Sequence, residues 1–112
     1  MSVESYTRSM EIEFFLRYTL NLKRGSVQDR KLKGAFEGIV HYENGRSLLN
    51  LSQFKKELDW LRSKFESSLD KIENTAQSSK VIDLRFQIRS AEDSEDIWNI
   101  FCQLRTLKHA SN

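Results

Sequence analysis

Apolar positions fall in two different rhythms along this chain. Between residues 50 and 75, Leu51, Phe54, Leu58, Leu61, Phe65, Leu69 and Ile72 recur every three or four positions, with Lys55, Lys56, Glu57, Asp59, Arg62, Glu66 and Asp70 between them. That period predicts one long amphipathic helix with a single buried stripe. Asn50 is placed to cap it, Gln53 stands where a capping box needs it, and Leu49 can staple to Phe54. The polar run 74–79 predicts a linker beyond its end.

A second helix is expected near the C-terminus. Ile97, Ile100, Phe101, Leu104 and Leu107 form its stripe, with Ser90 or Ser94 as the cap. Glu92, Asp93, Glu95 and Asp96 crowd its start and Lys108 and His109 its end, as the helix dipole favours.

Elsewhere the rhythm is two. Met10, Ile12, Phe14, Leu16, Tyr18, Leu20 and Leu22 alternate with mainly polar neighbours, which predicts a long strand. A helical face through Ile12, Phe15, Leu16, Thr19 and Leu22 is the competing reading. Ile82, Leu84, Phe86 and Ile88 alternate with Asp83, Arg85, Gln87 and Arg89 and predict a second strand. Residues 32–43 are read as a third. The opposing helix reading starts at Ser26 with Asp29 three residues on and ends at Asn44-Gly45, but carries Gly34 and Gly38, each costing about 1 kcal/mol in a helix interior. The expected fold is therefore α+β, a small mainly antiparallel sheet with the two helices on one face. The alternative is an all-α bundle, favoured by the modest β-branched content.

The chain has 112 residues, enough for one core. The expected organisation is a flexible segment 1–9, a globular domain 10–109 and a tail 110–112. There is no proline to mark a linker. One cysteine, Cys102, excludes an internal disulfide. No signal-like N-terminus or membrane-length apolar run is present, so a cytoplasmic or other reducing intracellular setting is expected, with no membrane partner.

Composition and motifs argue against catalysis, and no cofactor or metal is expected. Cys102 beside Phe101 reads as a small core hydrophobe. His41, His109 and one cysteine do not make a zinc set. Glu11, Glu13 and Asp83 would share a sheet face and hold Mg²⁺ only if the strands pair suitably, a remote route to metal-dependent phosphodiesterase chemistry.

Net charge is only +2, yet its distribution is uneven. Lys23, Arg24, Arg30, Lys31 and Lys33, with Arg17, face Asp29 alone. On a loop spanning residues 23–33 they would contact phosphates, with Phe15 as a stacking platform, giving a nucleic-acid-binding alternative. The preferred expectation is a non-enzymatic protein-interaction module (adaptor, inhibitor or small subunit) that binds another protein or itself as a homo-oligomer. Its expected contacts are Trp60, Trp98 and Phe15, since large aromatics at stripe margins anchor partners.

Overall fold

The computed structural model describes residues 3–46, 48–72 and 78–111. Among the described residues six helices follow one another: α1 (Val3–Leu20), α2 (Val27–Leu32), α3 (Ala35–Glu43), α4 (Leu51–Ile72), α5 (Ser78–Ser90) and α6 (Ser94–Ser111). Among the described residues there is no strand. The expected α+β sheet is thus overturned, and the all-α alternative is the fold. Residues 10–22 belong mainly to α1, residues 32–43 to the end of α2 and to α3, and residues 82–89 to α5.

The physical reason lies in arithmetic that alternation conceals. Every other member of an alternating run is four residues from the next, and such pairs also share a helical face. Ile12 and Leu16 form that pair in α1 and are buried, with Phe15 half-buried beside them. Leu84 and Ile88 do the same in α5, joined by Val81 one turn earlier. The intervening members stand about 200° round the helix and face outward. Phe14 is 58% and Tyr18 79% exposed, and Ile82 and Phe86 are each 70% exposed.

The long helix α4 is the hub, packing on α1, α3, α5 and α6. Its buried stripe is Phe54, Leu58, Leu61, Phe65 and Leu69, with Ser68 buried among them; Leu51 lies outside the core. Across it lie Ile97, Ile100, Phe101, Leu104 and Leu107 of α6, all buried as their spacing predicts. Tyr42 of α3 stacks on Phe54 at 4.3 Å between ring centroids. Burial of this apolar set at about 25 cal/mol per Å² is the main stabilising term.

Helix ends are set by local chemistry. Asn50 and Gln53 form the expected capping box, each side-chain oxygen accepting the other's backbone N–H at 2.9 Å. The cap of α6 is neither Ser90 nor Ser94. Asp93 Oδ1 accepts the Asp96 N–H at 2.8 Å, while Ser94 gives its N–H and hydroxyl to Glu43 at the end of α3. Helix α1 stops at Asn21, in the left-handed region at φ 52°, with Leu22 N–H reaching back to the Arg17 carbonyl. Gly34, at φ 75°, divides α2 from α3, so it interrupts no helix. Only Gly38 sits inside one. Gly45 closes α3 in the same left-handed geometry, with Arg46 N–H bonded to the His41 carbonyl.

Residues 4–9, expected to be loose, lie on α1, where Ser9 is buried and Arg8 pairs with Glu4 and Glu95. Most of the expected linker, residues 74–77, lies outside the described residues, as do residues 1–2 and 112 of the expected termini.

Candidate functional site

A groove runs between α1 and α6. Phe14, Phe15 and Tyr18 supply its apolar surface, and Arg17, Arg105, Lys108 and His109 its polar edge. Its volume is about 610 Å³. The helical rise places Phe14 and Tyr18 about 6 Å apart along α1, on the side turned away from the core. Phe15 closes the floor by packing edge-on to Phe101 at 5.4 Å. Lys108 Nζ sits 4.4 Å from the Tyr18 ring centroid and 5.6 Å from that of Phe15, near enough for cation–π attraction. It also donates to Thr19 Oγ1 at 3.3 Å.

The cations of this edge differ in how far they are already neutralised. Arg17 Nε donates to Asp29 Oδ1 at 2.5 Å, and the Gly25 N–H donates to Asp29 Oδ2 at 2.9 Å. The Gly25 hydrogen bond first, then Arg17, holds the Asp29 carboxyl below its ordinary range. Asp29 is itself buried, and a buried carboxylate requires such partners. Arg105 faces Glu11 at 3.5 Å. Lys108 has no carboxylate partner among the described residues.

The expected interface aromatics are not gathered. Trp60, on α4, is half-buried against the core, with Lys31 and Lys64 over its ring at 5.2 and 5.4 Å. Trp98, on α6, is likewise half-buried, with Phe101 at 5.0 Å and Arg8 at 4.8 Å. Phe15 is the inward neighbour of the exposed Phe14. The exposed apolar pairs, Phe14 and Tyr18 on one helix and Ile82 and Phe86 on another, lie hidden in the alternating runs. Each reads as a core residue only while the run is a strand.

The basic segment is also divided. Lys23 and Arg24 lie in the turn before α2, Arg30 and Lys31 on α2, and Lys33 at its end. All five are exposed. Arg24 and Lys33 share a second groove with Arg17, Asp29 and Glu13, where Glu13 Oε1 accepts the Gly34 N–H at 2.9 Å. Lys31 turns instead to Trp60.

Glu11, Glu13 and Asp83 do not converge. Glu11 meets Arg105, Glu13 meets Gly34, and Asp83 accepts from Gln87 at 2.7 Å. Among the described residues no three His, Cys, Asp or Glu side chains are grouped to hold a metal ion. Cys102 is free and half-buried on α6.

Across α4 and α5, Glu66 accepts from Arg89 Nη2 at 2.7 Å and Arg85 Nη1 at 3.2 Å, while Arg85 Nη2 reaches Asp70 at 2.9 Å. The Arg89 hydrogen bond, then Arg85, lowers the Glu66 pKa, and Asp70 raises that of Arg85. This network fixes one helix against the other.

Among the described residues no helix is long and apolar enough to cross a membrane. Comparison of the chain with protein-family models, with curated proteins and with solved structures gives no match.

Proposed function

We propose that this protein is a small non-enzymatic interaction module that associates with copies of itself and with another protein through the outer faces of α1 and α5. One observation carries the reading. Both helices bury one apolar stripe and present a second apolar pair, four residues apart, on the opposite side: Phe14 with Tyr18, and Ile82 with Phe86. A surface helix in a monomer ordinarily keeps that side polar, and repeated large exposed apolar groups mark contact surfaces.

Light scattering behind a sizing column, on the full chain at several concentrations, tests it. The expected result is a dimer or larger species that Ile82→Ser/Phe86→Ser converts to a monomer whose helical circular dichroism is unchanged. A wild-type monomer at every concentration removes the self-association.

A second reading, nucleic-acid binding, is supported by the exposed Lys23, Arg24, Arg30 and Lys33 around α2. Recording 260 and 280 nm absorbance across the same peak separates the two. Excess 260 nm absorbance that salt strips away, and that charge reversal at Arg30 and Lys31 abolishes, favours the second.

A further inference from the structure

We infer that the groove between α1 and α6 receives a short amphipathic helix bearing carboxylates, contributed by a partner protein other than this chain. The inference rests on the interaction-module reading and names the partner's chemistry for one of its two faces. Recognition of a helix in a groove uses apolar side chains at i, i+3 or i+4 set into a hydrophobic trough, with charges along the rim. Here the trough is Phe14, Phe15 and Tyr18, and the rim residues are all basic or histidine: Arg17, Arg105, Lys108 and His109. No carboxylate lines it among the described residues.

Charge decides the occupant. Arg17 and Arg105 are already paired with Asp29 and Glu11, which leaves Lys108, among the described residues, as the rim lysine or arginine without a carboxylate. One uncompensated ammonium beside an apolar trough suits an isolated Glu or Asp on a helix flank. It suits a phosphate chain less, since that requires several free cations in a row.

A second copy is a poorer occupant. The outer face of α5 offers Ile82 and Phe86, but the helix's one carboxylate, Asp83, already accepts from Gln87, and Arg85 and Arg89 are held by Glu66 and Asp70. Three of the four carboxylates at the start of α6, those of Asp93, Glu95 and Asp96, are engaged within their own chain. Glu95 pairs with Arg8, Asp93 caps the helix, and Asp96 accepts the Glu92 N–H at 2.9 Å.

Fluorescence anisotropy on the full chain tests the inference with three labelled probes. The first is a synthetic helical peptide of about 16 residues, Leu or Phe at i, i+3, i+4 and i+7 and Glu on both flanks. The second replaces every Glu by Lys. The third is a single-stranded oligodeoxythymidylate. The acidic peptide is expected to bind saturably and the Lys peptide not to bind. Lys108→Glu and Tyr18→Ser should each weaken the acidic peptide roughly tenfold or more, whereas the charge reversal Lys56→Glu, exposed on α4, should leave it unchanged. Circular dichroism confirms that each variant is folded. Equal binding of both peptides, indifference to Lys108→Glu, or no saturation overturns the inference. Tighter oligodeoxythymidylate binding that the same substitutions abolish also overturns it, and assigns the groove to nucleic acid. Self-association that persists while the peptide fails to bind discards the inference alone; a monomer that binds neither peptide discards the module reading with it.

Discussion

At the scale of single residues, the two central glycines have opposite value. A Cβ at Gly38 would meet nothing within 4 Å, and its backbone is helical. Gly38→Ala is expected to stabilise the fold by about 0.5–1 kcal/mol, because it removes unfolded-state freedom at no steric cost. Gly34 is different: at φ 75° an alanine there is strained, and Gly34→Ala should cost about 1–2 kcal/mol. Urea denaturation of both variants reads the sign directly. Asp29 adds a pH dependence. Its carboxyl is held below the ordinary range by Gly25 and Arg17, so it stabilises the fold above the unfolded-state value. That contribution is lost as pH falls through the folded-state value. Asp29→Asn should therefore be less stable than the parent near neutrality and show a smaller loss of melting temperature on acidification. An unchanged acid profile would mean that Asp29 and Arg17 are coupled only weakly.

At the scale of elements, α4 and α6 were legible because each carries one apolar stripe at helical spacing, and one of them a capping box. Asn50→Ala should lower stability by about 1 kcal/mol, since it frees the Gln53 N–H at the start of the hub helix. Glu66→Gln, which weakens the bridge from α4 to Arg85 and Arg89, should cost only about 0.5–1 kcal/mol, as its partners remain partly hydrated. Calorimetric melting of both tests that ranking. Helix α1 was legible only in the competing reading through Ile12, Phe15 and Leu16, and α5 not at all, for a physical reason. Their second apolar pairs fill the positions that would otherwise betray the helical period, and period two emerges from two opposed faces. A strand would set Phe15 outside and Phe14 inside, which separates residues that the helix brings together in the groove. Lys108 reads from sequence as a cation at a helix end, and only packing brings it over Tyr18.

At the scale of the whole molecule, the arrangement separates a packed centre from exposed apolar faces. Helix α4 packs closely on four others, whereas α2 has six residues and packs chiefly on α1. Hydrogen exchange should follow that hierarchy. Amides between Leu58 and Leu69 are expected to exchange only through global unfolding, and those of α2 through local opening. Association adds a second pattern, because a contact made by the outer faces of α1 or α5 opposes the fraying of those helices in proportion to the population of the complex. Exchange in the α5 turn bearing Ile82 and Phe86 should therefore slow as protein concentration rises, while α2 stays constant. Concentration-dependent slowing in α2 instead would place the contact on the basic segment. Uniform exchange at every concentration would leave both apolar pairs without a self-contact, and the α1–α6 groove would then stand or fall on the acidic peptide alone.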